Sequence, residues 1–170
     1  MSAQTQRLAD EFERSTMNTK MFFALVAASA VSLTSIVVSA GAAQTPFKGT
    51  VSAVETAVVV PPTASLTRNG TGTATYLGKY AEHIVMTIDL PTMSSTGAAT
   101  FTAANGDTLT ATVVGQATRT GPTMLSIVEV YTITGGTGRF AGATGTFTLE
   151  STVEQTTGVS SGTLSGVIDH

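Results

Sequence analysis

From Pro46 onward, apolar and polar positions alternate with a period of two in run after run. Glycine, asparagine or proline punctuates the runs, which is the pattern of half-buried β-strands separated by turns. Strand-like runs fall at 47–60, 64–67, 71–77, 79–90, 97–103, 107–116, 123–134, 146–154 and 159–168. Pro61-Pro62 stops the first, because prolines cannot donate ladder hydrogen bonds. Arg68-Asn69-Gly70 reads as a turn, and Asn105-Gly106 as the centre of a hairpin. The longest glycine cluster, 135–145, reads as a hairpin corner. Gly135, Gly136 and Gly138 supply the turn, Arg139 anchors it to a carboxylate or a carbonyl, and Phe140 folds back onto the sheet. Gly136-x-Gly138-x-x-Ala141 fits the dinucleotide fingerprint only formally, since the run after it is β-branched and opens no helix.

About eight consecutive strands joined by short turns predict an all-β protein, either a closed barrel or a sandwich. Glycines near strand ends favour closure. The expected fold is a small eight-stranded antiparallel β-barrel (calycin-like), preceded by an N-terminal apolar signal helix. A barrel of that size holds a packed core or one small ligand.

The first part of the chain has a different pattern. Residues 1–16 are polar and mixed in charge, Met17-Asn18-Thr19-Lys20 comes next, and 21–38 is an uncharged apolar run. Ala40 and Ala42 then give the small-residue spacing of a cleavage site. This is the anatomy of a secretory signal peptide cut near Ala42-Ala43. The expected organisation is 1–43 as extension and signal peptide and 44–170 as the barrel domain, secreted to the periplasm or beyond. An uncleaved membrane anchor is the alternative. Met17 is the more natural translation start than Met1.

Composition narrows the function. Only 11% of residues are charged and the net charge is −3, which argues against nucleic-acid binding. The absence of cysteine excludes disulfides and thiolate chemistry. His83 and His170 lie far apart, so no metal site and no cofactor is expected.

The candidate chemistry is a set of carboxylates in otherwise apolar rows. Glu55 shares a strand face with Val51, Ala53, Ala57 and Val59. Glu82 shares one with Tyr80, Ile84, Met86 and Ile88. Glu129 and Tyr131 share one with Leu125, Ile127 and Ile133. Facing the lumen, such a carboxylate has a raised pKa and serves as acid or base. Facing out, or paired with an arginine, it is structural. A one-residue register change reverses every face, so alternation leaves both readings open. Glu55, Glu82, Glu129 and Tyr131 are the lumen-binding candidates, and no catalytic residue is assigned. His83 and Asp89 share a face but stand too far apart to bond. Val54, Val58 and Val60 make the opposite face of the first strand apolar too, which points to contact with a partner subunit.

Thr75-Tyr76-Leu77-Gly78-Lys79-Tyr80, then Ala104-Asn105-Gly106-Asp107, then the glycine corner from Gly135 to Gly145 occur in that order. The series resembles bacterial secreted proteins of the allene oxide cyclase-like barrel group. The corner also resembles the GGTG-x-F segment of plant dirigent proteins. The resemblance implies an eight-stranded barrel, often trimeric in the plant relatives, that holds a reactive apolar molecule and steers its cyclisation or coupling. It carries over the fold and the corner, not a catalytic set. The functional expectation is a secreted barrel that binds a small apolar molecule in its lumen, with any activity cyclase-like or isomerase-like. The alternative is a structural or oligomeric interaction module whose barrel is filled by its own side chains. Strands rich in small residues tip the balance toward a cavity.

Overall fold

The computed structural model describes residues 44–169. The expected signal segment and its cleavage point lie outside these residues. Eight strands succeed one another: β1 (Thr45–Val60), β2 (Thr63–Ala74), β3 (Gly78–Asp89), β4 (Ser94–Ala103), β5 (Thr108–Arg119), β6 (Met124–Gly136), β7 (Thr144–Glu154) and β8 (Val159–Asp169). Each pairs antiparallel with the next, and β8 pairs back onto β1 to close the barrel. Closure removes the open sheet edges at which strands aggregate.

One expected turn is replaced by strand. β2 runs unbroken through Arg68-Asn69-Gly70, with Arg68 opposite Glu55 on β1 and Gly70 opposite Glu82 on β3. The runs at 64–67 and 71–77 are therefore one strand and the turn after it. Asn-Gly tolerates the positive φ of a tight turn but does not demand it. Here the cross-strand ladder on both sides holds the backbone extended.

The inward faces are those of the apolar rows. Large side chains fill the middle of the barrel and one end. The Tyr131 and Phe147 rings stack with centroids 4.6 Å apart, and Phe47 packs on Phe147 at 4.9 Å. Phe101 meets Tyr80, Tyr131 and Phe147 edge-on. Each such pair contributes about 0.5–1.5 kcal/mol beyond its area burial. Leu77 from the β2–β3 turn and Phe140 from the β6–β7 corner are buried in the same cluster and close this end.

The corner is built in steps. A register shift between Thr110 and Ala111 lets β6 bulge against β5. Gly138, at φ +56°, starts a short 3-10 turn over Gly138–Phe140. The Arg139 backbone N–H donates to Asp107, and its guanidinium donates to the Leu77 carbonyl at 3.1 Å. That guanidinium also lies 4.9 Å from the Phe140 ring centroid. Phe140 is thereby held fully buried. Among the described residues, the opposite end of the barrel carries no such plug.

Candidate functional site

The site begins with an arginine inside the barrel. Alternation along β2 turns Ala64, Leu66, Arg68, Gly70, Gly72 and Ala74 to the lumen. Arg68 is 1% exposed. A buried guanidinium requires partners, because leaving it unpaired forfeits its hydration. Neighbouring strands supply them. Nε donates to Glu82 Oε1 at 3.0 Å. Nη1 and Nη2 donate to the two oxygens of Glu129 at 3.1 and 2.8 Å, the bidentate fork that arginine's planar geometry favours. Nη2 also donates to the Tyr131 hydroxyl at 2.5 Å, and that hydroxyl donates to Glu129 Oε2 at 2.5 Å. Glu55 stands further off, with Oε1 3.7 Å from Nη1, an ion contact without a hydrogen bond.

Space for this cluster comes from β2. A Cβ on Gly70 would lie 3.1 Å from Glu82 Oε1 and 2.6 Å from the Ala53 methyl. The missing side chain lets Glu82 lean across the strand to reach Arg68.

The structure brings all four lumen candidates together. Glu82, Glu129 and Tyr131 are buried, and the Glu55 side chain is 8% exposed. The corner residues 135–145 pack at the plugged end instead, away from this cluster. His83 faces outward and bonds Asn69 at 2.9 Å. Arg68 is the site residue that sequence reasoning misses. The signal for it is the set of carboxylates in inward rows, which call for a buried cation.

Three carboxyls converge on one guanidinium, so full ionisation would leave a buried double negative charge. Burial pushes the Glu55 carboxyl up against the pull of Arg68, with Ser160 hydrogen-bonding it. Burial likewise raises Glu82 against the pull of Arg68. Burial also holds the Tyr131 phenol well above its ordinary value, so it stays a donor. Glu55 Oε1 and Glu82 Oε2 have no hydrogen-bond partner. Burial therefore favours the protonated forms of Glu55 and Glu82, and both have hydrogen-bonding capacity to spare.

Above the cluster the barrel opens. A cup of about 300 Å³ lies among the β1–β2, β3–β4, β5–β6 and β7–β8 turns. Leu66, Ile88, Leu125 and Val153 wall it, and Glu55 is at its base. Beneath it a cavity of about 70 Å³ reaches Glu129. An apolar wall ending on a few polar groups is the anatomy of a small-molecule site. The arrangement can hold an apolar body, bond its polar end, and give or take a proton there.

Fold and site together make a closed eight-stranded barrel with a polar floor in its lumen. No protein-family model and no curated protein matches the chain. Among solved structures it is similar to a pterocarpan synthase dirigent protein, GePTS1, with a TM-score of 0.54 and 17% identity. The match covers 75% of this chain and 89% of that one. At that identity the likeness is one of fold.

Proposed function

We propose that this protein is an exported barrel that holds a small apolar molecule in its open-end cup. Glu55, backed by Arg68, Glu82, Glu129 and Tyr131, fixes the molecule's polar end. The observation that carries this reading is the apolar cup of about 300 Å³ with Glu55 at its base. The fold likeness to a protein named as a pterocarpan synthase supports a small-molecule role. Steering of a reactive substrate is the catalytic form of the same reading, supported by carboxyls that burial keeps ready to give a proton. The signal-like segment 1–43 and the resemblance to bacterial secreted barrels support export by a bacterial host. Exposed Val114, Val128 and Val130 on neighbouring β5 and β6 support a homo-oligomer, trimeric by resemblance.

The test is titration with an apolar fluorescent dye. Leu125 lines both the cup and the cavity below it. In Leu125→Trp the larger ring occupies that space, and dye affinity is expected to fall at least about tenfold, with the far-ultraviolet spectrum unchanged. Equal binding by both proteins, or none by either, overturns the proposal.

A further inference from the structure

The cup's base is unusual in the balance of its charges. Glu82 and Glu129 accept every hydrogen bond that Arg68 makes except the one to Tyr131. Glu55 receives from Arg68 only the 3.7 Å contact, although β1 and β2 place the two directly opposite. Its Oε1 is buried without a hydrogen-bond partner, and its side chain is more than nine-tenths buried. Among the described residues that line the cup, Glu55 is the ionisable one. The groups facing it are Arg68 on β2, Glu82 on β3, Glu129 on β6 and Ser160 on β8. Two of those three ionisable neighbours are acids. Acids therefore outnumber cations at the base of an apolar cup, and Glu55 is the acid that faces into it.

We propose that the cup selects a lipophilic amine, a molecule with an apolar body and a protonated nitrogen that Glu55 pairs. This rests on the small-molecule reading above and names its ligand class. The ammonium pairs with the Glu55 carboxyl from the cup side and supplies the positive charge that one guanidinium cannot give to three acids. Charge-assisted bonds of this kind are roughly twice as strong as neutral ones. An anionic head would meet Glu55, Glu82 and Glu129 with one guanidinium already engaged, and is excluded. A neutral head adds to apolar burial only an ordinary hydrogen bond.

Binding carries a proton balance. Where Glu55 is protonated in the free protein, its carboxylic acid and the ligand's ammonium together become a carboxylate–ammonium ion pair and one proton released to solvent. Amine affinity therefore falls as pH falls below the Glu55 pKa, by up to about tenfold per pH unit. A neutral ligand shows no such slope.

The experiment is calorimetric titration of the full barrel with octylamine, octanol and octanoate, which share one apolar chain. Octylamine is expected to bind about tenfold to a hundredfold tighter than octanol, with octanoate weakest. In Glu55→Gln the amine preference collapses to octanol's level while octanol binding persists. If Glu55→Gln fails to fold, the wild-type pH series decides: octylamine affinity must fall as pH falls through the Glu55 pKa, which burial holds above its ordinary value, while octanol's stays flat. Octanol or octanoate binding as tightly as octylamine overturns the amine assignment but leaves the apolar cup standing. Binding of none of the three, with no dye binding, overturns both.

Discussion

Replacing Arg68 with methionine removes the cation and keeps much of the side-chain volume. Arg68 donates four hydrogen bonds, one to Glu82, two to Glu129 and one to Tyr131. All of these partners are buried and remain so in Arg68→Met. Breaking one side of a buried ion pair costs about 3–5 kcal/mol. A stranded carboxyl limits the loss by holding a proton. With an unfolded pKa of about 4.3 and about 1.4 kcal/mol per unit, that costs about 3.7 kcal/mol at pH 7 and about 1 kcal/mol at pH 5. The folded variant binds more protons than the unfolded chain across this window, so its stability rises as pH falls. Arg68→Met should lose about 3–5 kcal/mol near pH 7 and markedly less near pH 5. Adding Glu129→Gln to it should recover part of the loss, because the partner charge is then gone too. Urea unfolding monitored by circular dichroism at both pH values measures this. A loss under about 1 kcal/mol, or the same loss at both pH values, would refute the buried ion network.

The wild-type protein should itself be most stable in mild acid. Burial raises Glu55 and Glu82 above the unfolded value of about 4.3, so stability increases as pH falls through their folded pKa values toward that point. Below it Glu154 acts in the opposite sense. The Thr156 hydroxyl, with Thr123 and Thr157, holds it down to about 2, and the stability it contributes at the β7–β8 turn is lost as pH falls through that value. Thermal melts across pH locate the optimum, and one above neutrality contradicts the burial argument. At the corner, Gly136→Ala drives a Cβ into the Thr108 carbonyl oxygen and to 2.8 Å from the Phe140 Cβ. It should destabilise by more than about 2 kcal/mol, while Gly121→Ala, with its nearest neighbour at 3.5 Å, should stay within about 0.5 kcal/mol. Equal melting temperatures for these two variants would count against the close packing of the corner.

The barrel is readable in the sequence because alternation and turn chemistry agree along most of the chain. The hairpin at Asn105-Gly106 and the glycine corner are local signals, and local signals survive in sequence. Arg68-Asn69-Gly70 misleads for the same reason. Its residues favour a turn locally, and only the ladders to β1 and β3 hold it extended. The lumen carboxylates are visible as interruptions of apolar rows. Their common partner is not, because Arg68 meets Glu82 and Glu129 across 14 and 61 residues of chain. Glycine content on β2 is equally ambiguous. Gly70 reads as a strand breaker until Glu82 is seen leaning over it. Small residues suggest a wide lumen, but the rings of Phe47, Tyr80, Phe101, Tyr131 and Phe147 fill much of it, and the cup with Glu55 at its base lies at the end away from the glycine corner.

Methyl NMR of the barrel during titration with octylamine decides whether the open-end cup takes an apolar molecule, because it reports where the molecule sits. Shifts should concentrate on Leu66, Ile88, Leu125 and Val153, which wall the cup. Shifts confined to the outer valines Val114, Val128 and Val130, or no shifts at all, would contradict occupancy of the cup.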